Sequence, residues 1–378
     1  MIEQLEQPTA SLDDMVEEDF PNFGLVIEKP FDPSLIRISP VPMVIGLLVS
    51  RMEQDAITLN PDFQRNFVWK VDAQSRLIES LLIRIPLPAF YMDATNEDKW
   101  LVVDGLQRLS TLKRFVVERE LRLTGLEFLT QLEGKTFDDL PRNFQRRILE
   151  TQVVVYKIES GTPNEVKFNI FKRINTGGEP LTYQEIRHAL NQGKATKLLE
   201  QLAHSNEFKK ATDNSISDKR MQAREFVLRA LTFMIAPYQN YKAGDWDVFL
   251  AEQMVKINQM SQEEVDGWLQ RFYRAMEAAY AIFGQKAFRK PYSWPERKQP
   301  INKALFEAWT TNLDKLDDNE LELLKERKEQ VNVKFKQLMY SPEFVSAISQ
   351  GTGDVKKVLR RFKDIEQLTV EVLNDSNS

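Results

Sequence analysis

The sequence predicts an α+β protein in which a mixed α/β N-terminal domain precedes an all-α C-terminal domain. The chain has 378 residues, and a typical domain has about 100–200, so two domains are expected. Short apolar runs alternate with helix-like stretches up to about residue 190. From there to about residue 363 nearly every segment repeats its apolar residues at helical spacing. These observations together give the fold class.

In the N-terminal part, two long segments have helical spacing. Ser39 to Glu53 places its apolar residues on one face, and Asp72 to Ile85 does the same with Asp72 as the N-cap. Pro86 and Pro88 stop the second helix. Further spacing predicts a helix over 109–117 and strands over 56–59, 89–92, 100–103 and 151–158.

Capping-box signatures predict where several later helices begin. They start at Thr162, Thr182 and Ser261, each followed three residues later by glutamate. The remaining helices are predicted over 196–205, 219–235, 261–283, 301–313, 319–339, 341–349 and 354–363. The expected division is an acidic N-terminal extension (1–35), a mixed α/β domain (36–190), a helical domain (191–363) and a flexible tail (364–378).

Composition narrows the protein class. Apolar residues make up 42% and charged residues 28%, as in an ordinary globular protein. The chain has no cysteine, which excludes disulfides, thiol nucleophiles and cysteine-bound zinc. No apolar run reaches the roughly 18 residues that a membrane span needs, and the first residues are acidic, unlike a signal peptide. We therefore expect a cytoplasmic protein without a membrane partner.

The formal net charge is −5, but the acids are unevenly placed. Residues 1–30 hold eight acids and one lysine, so the rest of the chain is slightly basic. The favoured interpretation is a solvated, partly disordered tail. The alternative is a segment that covers a basic groove and mimics phosphate.

The most informative segment is Asp104-Gly105-Leu106-Gln107-Arg108, where a predicted strand turns into a predicted helix. A helix that begins there directs backbone N–H groups and the positive end of its dipole at an incoming anion such as a phosphate. Arg108 and Lys113 add positive charge, and Arg108 is expected to contact the phosphate directly. Asp104 is a candidate ligand of a divalent ion, and an Asx turn is an equally good interpretation of that residue.

Other segments stand around this turn in a specific order. Upstream are Gln64-Arg65 before Trp69, and a helix exit at Pro86-Leu-Pro88; downstream is Arg173-Ile-Asn175-Thr-Gly177-Gly178, followed by Leu181 and Glu185. In this order, over residues 36–190, they resemble the N-terminal domain family of GmrSD-type restriction enzymes, with its "DGQQR" turn. Leu106 stands where many members have Gln.

The resemblance implies a ParB/sulfiredoxin-like fold in which a nucleotide's phosphates lie on the Asp104–Arg108 turn. It also implies a role in bacterial defence against foreign DNA. Gln64 and Arg65 would form a second wall of the pocket, and Arg173 and Asn175 would reach it from a neighbouring element. Gln107 would read a base edge or order a water molecule. Ser110 and Thr111 would offer hydroxyls to a metal.

Each of these residues also has a structural interpretation. Arg65 would lie on the surface while Phe63 and Phe67 pack against the sheet, and Arg173-Ile-Asn175 would form a helix C-terminus before two glycines. Ser110 and Thr111 would be ordinary helix residues. The basic and aromatic stretch Lys286 to Lys298 would fill the helical core with its aromatic rings, or would grip single-stranded nucleic acid.

The leading hypothesis is a component of an antiphage or restriction system that binds a nucleoside triphosphate with Mg²⁺, hydrolyses it and controls a DNA-directed activity. Asp104, Gln107 and Arg108 are its predicted catalytic residues. DNA and a nuclease or ATPase partner are expected, and a homo-oligomer is left open. The alternative is a non-catalytic sensor subunit that binds modified DNA. No P-loop motif occurs, and two histidines give no support to an HNH nuclease.

Overall fold

The computed structural model describes residue 16 and residues 33–59, 69–174, 181–242, 246–291 and 299–375. The chain divides into two compact units, here called the sheet unit (Phe31–Leu190) and the helical unit (Asn191–Ser378, with which Val16 is grouped). A small mixed sheet therefore precedes a mostly helical region, and the predicted α+β fold class is confirmed.

Within the described residues, the sheet unit contains one sheet of five strands in the order β1-β5-β3-β4-β2. β3 is parallel to β5 and antiparallel to β4, while β2 is parallel to β4 and β1 is antiparallel to β5. The strands are β1 (Ile38–Val44), β2 (Ile57–Thr58), β3 (Phe90–Asp93), β4 (Trp100–Asp104) and β5 (Gln152–Ile158). Four of them confirm the predicted strands.

The first strand corrects the predicted helix over Ser39 to Glu53, because only Ile45–Glu53 (α1) is helical. The N–H of Ile45 donates to the carbonyl of Thr151, and the carbonyl of Arg37 accepts from the N–H of Glu159. The backbone N–H and C=O groups of the odd-numbered residues of β1 therefore point toward β5. The backbone of Pro40 and Pro42 therefore faces away from β5, where a missing N–H removes no hydrogen bond between the strands. Prolines that would destroy a helix are tolerated on this edge strand.

Helices cover both faces of the sheet. On one face lie α1, α2 (Val71–Leu82), α3 (Leu106–Leu112) and α4 (Arg142–Glu150), which bury a shared apolar cluster with β3 and β5. On the other face lie α5 (Asn164–Ile174) and α6 (Tyr183–Leu190), whose cluster includes Val103 and Ile158. A π-helical turn, Lys113–Val117, follows α3 directly. The sheet is thus sandwiched, with α3 starting at the end of β4.

The predicted boundaries of α2 differ from the structure. Asp72 lies inside the first turn, while Lys70 is the N-cap, and the helix ends at Leu82 rather than Ile85.

The capping box predicted at Thr182, at the start of α6, is present. The Thr182 N–H donates to Glu185 Oε2 at 2.7 Å, and the Glu185 N–H donates to Thr182 Oγ1 at 3.1 Å.

A loop over residues 124–129 is held by side chains of α2. The N–H groups of Glu127, Phe128 and Leu129 donate to the Glu79 carboxylate at 3.0, 2.7 and 2.7 Å. Burial alone would raise the pKa of Glu79, but these backbone hydrogen bonds hold it below its ordinary value. The ionised carboxylate therefore stabilises the loop.

The helical unit contains most of the predicted helices with shifted ends. Helix α11 begins with the predicted capping box at Ser261 and Glu264. The helices α8 and α10 were not predicted, and the segment predicted as one helix over 319–339 is two helices divided at Arg327. The bounds are α7 (Lys194–Ala203), α8 (Asn206–Ala211), α9 (Gln222–Ile235), α10 (Trp246–Gln259), α11 (Gln262–Phe283), α12 (Lys303–Asp314), α13 (Asp318–Glu326), α14 (Lys328–Leu338), α15 (Pro342–Ser349) and α16 (Val355–Asn374).

The C-terminal end of the chain differs from the predicted flexible tail over residues 364–378. Helix α16 continues to Asn374, because Ile365, Leu368 and Val372 extend its buried stripe beyond residue 363. Of the predicted acidic extension, the structure describes Val16 and residues 33–35, and Val16 is buried in the core of the helical unit with a bridge to Ile301.

The centre of the helical unit contains a buried ion network. Glu307 on α12 is fully buried and accepts from Arg229 Nε at 2.9 Å and from Arg361 Nη2. Arg361 also donates to the Thr352 carbonyl at 2.7 Å.

Phe288 lies in the apolar core of the helical unit, with its ring centre 4.6 Å from that of Phe306. For Phe288, this agrees with the interpretation that the aromatic rings of residues 286–298 fill the core. Tyr292 and Trp294 lie outside the described residues.

Candidate functional site

The predicted strand-to-helix turn is present at the end of β4. Tyr91 of β3 pairs with Asp104 and Met92 pairs with Val102, so β4 has a bulge at this point. Gly105 is the N-cap of α3 with φ of +98°, a left-handed conformation that favours glycine. It also packs against Phe90, since a Cβ at this position would lie 2.4 Å from Phe90 Cδ1. Both constraints explain the glycine.

The Arg108 side chain is turned into the protein. Its Nη2 donates to Asp104 Oδ2 at 2.7 Å and to the Ala89 carbonyl at 3.1 Å, and its Nη1 donates to the Pro88 carbonyl. The guanidinium carbon lies 4.5 Å from the centre of the Phe90 ring. Only 10% of the side chain is exposed. The geometry therefore assigns Arg108 to fixing the turn, in contrast to the predicted direct contact with phosphate.

Asp104 is partly accessible, with 26% of its side chain exposed. Burial raises the pKa of its carboxyl group, and the positive charge of Arg108 and a hydrogen bond from the Gly105 N–H offset only part of this effect. Burial likewise lowers the pKa of Arg108, and Asp104 partly offsets it. Asp104 is thus an anchored carboxylate at the open end of β4.

Gln107 links the turn to Trp69. Its Oε1 accepts the Trp69 N–H at 3.4 Å, while the Trp69 carbonyl accepts from Gln74 Nε2 at 2.8 Å. Gln74 is buried in α2 and accepts from Arg114 Nη1, in the π-helical turn, at 3.3 Å. The end of the upstream motif segment is thereby tied to the turn. Gln64 and Arg65 themselves lie outside the described residues.

The two hydroxyl candidates have different surroundings. Thr111 is fully buried, and its Oγ1 donates to the Gln107 carbonyl at 2.8 Å. This bond within the helix matches the structural interpretation for Thr111, since the hydroxyl is engaged away from solvent. Ser110 is partly buried.

Helix α5 carries Arg173 of the downstream motif. Since β5 is antiparallel to β4 across the intervening strand, α5 starts at the end of the sheet opposite Asp104. There Lys167 Nζ lies 3.0 Å from Asp93 Oδ2. Near the other end of the helix, Ile174 packs against the apolar cluster that contains both Val103 and Ile158. Arg173 is exposed at this helix end, while Asn175 lies outside the described residues.

No group of three or more His, Asp or Glu residues suited to a metal ion occurs among the residues that the structure describes. Asp104 is therefore a single carboxylate ligand candidate. That is compatible with Mg²⁺ held mainly by nucleotide phosphates, for which one or two protein carboxylates suffice.

Sequence reasoning missed Phe90 and Gln74. The contact of Phe90 with Gly105 is tertiary, and nothing in the spacing announces it. Gln74 had a usable signal, because it lies on the α2 stripe of Leu77, Ile78 and Leu81 at helical spacing. A glutamine on a buried stripe indicates a polar partner.

The sheet unit is similar to a known protein family. Residues 45–192 match the family described as GmrSD restriction endonuclease, N-terminal domain. The resemblance predicted from the motifs is thereby confirmed for this part of the chain. Comparisons with curated proteins and with solved structures gave no match. Among the described helices, none has the length and apolar character to cross a membrane.

Proposed function

We propose, from the similarity of residues 45–192 to the N-terminal domain of the GmrSD restriction endonuclease, that this chain is a component of a restriction system directed against foreign DNA. Its sheet unit would bind a nucleoside triphosphate with Mg²⁺ at the Asp104–Arg108 turn. The bound state would control a DNA-directed activity in the cytoplasm. A nuclease or ATPase partner, or a second copy of the chain, would complete the system.

The observation that carries this proposal is that the end of the upstream motif segment meets the strand-to-helix turn at the end of β4. Trp69 contacts Gln107, the turn itself follows β4, and Ile174 of α5, next to the exposed Arg173, packs against the apolar cluster that contains Val103. No side chain caps α3 at Gly105. The start of this helix would therefore offer backbone N–H groups and the positive end of the helix dipole to an anion.

Each residue of the proposed site would have its own role, set by its position. Asp104 would hold Mg²⁺ through its carboxylate, Gln107 and the first-turn amides would face the phosphates, and Arg173 would offset negative charge. Arg108 would keep Asp104 and the turn in place without touching the ligand. Bound Mg²⁺ would supply charge neutralisation at the β- and γ-phosphates. Slow attack of water on the terminal phosphate would suit a switch.

Binding is tested by thermal unfolding with ATP, GTP, CTP, UTP and inorganic tripolyphosphate in Mg²⁺. A ligand at 100 times its Kd stabilises the native state by about 2.7 kcal/mol. Gln107→Glu keeps an oxygen acceptor for Trp69 but places a negative charge against the phosphates, so affinity should fall at least about tenfold. Gln54→Glu, an exposed position of the same unit, is the matched control. If none of these ligands raises the unfolding temperature, the proposal is wrong.

Hydrolysis is tested separately by phosphate release. Arg173→Ala should slow release while Lys172→Ala, one residue earlier and also exposed, should not. Equal rates for the two variants would remove Arg173 from the site. Binding without phosphate release in the wild type would leave a binding switch.

A second candidate function is a non-catalytic DNA sensor. It is favoured by the lack of a metal-binding cluster among the described residues. It is also favoured because the side chains of Arg108 and Thr111 are hydrogen-bonded to backbone carbonyls inside the protein. Mobility shifts on modified and plain duplexes at two salt concentrations test it, because non-specific phosphate attraction falls steeply with salt. Salt-resistant preference for modified DNA without any nucleotide response would favour the sensor.

A further inference from the structure

We propose that a partly open region of the sheet, here called the tyrosine face (Tyr91, Tyr156, Val154 and Pro42), binds the base of the nucleotide whose phosphates occupy the adjacent turn. This inference rests on the proposed nucleotide binding. It deepens that proposal by assigning a contact surface to the aromatic part of the ligand.

The strand register places the tyrosine face beside the turn. Tyr91 pairs with Asp104 on one side and with Tyr156 on the other. Paired residues project from the same face, and neighbouring strands lie about 4.8 Å apart. The two rings stack, with centroids 4.9 Å apart and planes at 14°. Asp104, Tyr91 and Tyr156 are therefore neighbours across β4, β3 and β5, where β4 ends.

This part of the sheet is incompletely covered. Helices α5 and α6 bury Val103 and Ile158 on the same face. Next to Tyr156 along β5, however, Val154 is 41% exposed, and its partner Pro42 is exposed too. Both tyrosine rings are partly exposed. An apolar, aromatic surface thus continues from the carboxylate at the end of β4.

The chemistry of the tyrosine face fits a planar heteroaromatic ring. Aromatic side chains bind bases by stacking, and valine and proline add apolar contact. Each tyrosine also carries a hydroxyl, a group that can donate a hydrogen bond to the polar edge of a base or accept one from it. A ligand that spans the face and the turn needs an apolar ring joined to an anion, as a nucleotide provides.

The experiment compares nucleotides with inorganic tripolyphosphate, which has the charge but no base. Tyr156→Leu removes the ring, Tyr156→Phe removes only the hydroxyl, and Tyr340→Leu, at an exposed tyrosine of the helical unit, is the control. Tyr156 is chosen because Tyr91 also packs against the buried cluster. Binding is measured by thermal shift in Mg²⁺ for ATP, GTP, CTP, UTP and tripolyphosphate.

Tyr156→Leu should weaken the preferred triphosphate by about tenfold or more, consistent with base stacking. Tripolyphosphate affinity should stay unchanged in every variant, and Tyr156→Phe should retain most nucleotide affinity. As a measurement on the wild-type chain, an azido-substituted form of the preferred nucleotide should photolabel the peptide that contains Tyr91 or Tyr156. That labelling keeps the test available should Tyr156→Leu fail to fold.

The possible failures are distinct. If no nucleotide and no tripolyphosphate binds, the proposed function is wrong. If nucleotides bind but Tyr156→Leu leaves their affinity unchanged and photolabelling falls elsewhere, the base does not contact the tyrosine face, while phosphate binding stands. If a single-stranded oligonucleotide binds through Tyr156 and free triphosphates do not, the occupant is nucleic acid and the proposal is overturned.

Discussion

Gly105 and Phe90 pack so closely that a methyl group on Gly105 would lie 2.4 Å from Phe90 Cδ1. This contact sets the turn against the start of β3, below the Arg108 guanidinium. The positive φ of Gly105 adds a second constraint. Shape and backbone conformation thus both require glycine.

Gly105→Ala should lower the free energy of unfolding more than Gly134→Ala. Both glycines have positive φ, but a Cβ at Gly134 meets nothing within 4 Å. Gly134→Ala should therefore cost only the left-handed strain of about 1–2 kcal/mol, and Gly105→Ala should cost about 1–3 kcal/mol more from overlap. Urea unfolding measures both, and equal losses would contradict the close approach to Phe90.

Asp104→Asn should change how stability depends on pH. Because burial raises the pKa of Asp104 in the folded protein, the protonated form is favoured by folding. That contribution is complete below the unfolded value of about 3.8 and is lost as pH rises through the folded pKa. As pH rises through this window, the free energy of unfolding of the wild type should therefore fall relative to that of Asp104→Asn. Urea unfolding at successive pH values measures this difference. A relative gain would show that the Arg108 charge outweighs burial.

Glu79→Gln should loosen the loop over residues 124–129. An amide offers one acceptor oxygen where the carboxylate provides two for three N–H groups, so the expected loss at neutral pH is about 1–3 kcal/mol. The lowered pKa of Glu79 means that its contribution is present above the ordinary value of 4.5 and disappears as pH falls through the folded pKa. The difference in the free energy of unfolding between Glu79→Gln and the wild type should accordingly become smaller at acidic pH. Glu127→Gln, at an exposed side chain, is the control, and a difference that persists in acid would argue against an ionised Glu79.

Glu307→Ala should strongly destabilise the helical unit. It leaves Arg229 and Arg361 buried without their shared carboxylate, a change that costs about 3–5 kcal/mol in comparable buried pairs. Glu371→Ala, which removes an exposed partner of Lys334, should cost about 1 kcal/mol or less. Thermal unfolding of both variants checks the contrast. Similar losses would mean that the network is not desolvated.

Local sequence signals predicted much of the architecture. Alternation and apolar runs located β3, β4 and β5, and the capping boxes located the starts of α6 and α11. The first strand was mispredicted because the apolar residues between Val41 and Val49 also fit helical spacing. Pro40 and Pro42 carried the opposing signal.

The candidate site was predictable in position but not in its internal bonds. The spacing of Asp104 and Arg108 is that of an i,i+4 ion pair, so their pairing could have been inferred. The carbonyls of Pro88 and Ala89 could not, because they reach Arg108 only through the tertiary approach of β3. Separation in sequence likewise conceals the link between Glu79 and residues 127–129.

The two prolines of β1 also limit how this protein can associate with others. A foreign strand that tried to extend the sheet beyond β1 would find no amide hydrogen at residues 40 and 42, so β-augmentation on that border is disfavoured. Recognition of a partner at this border must therefore depend on side-chain complementarity.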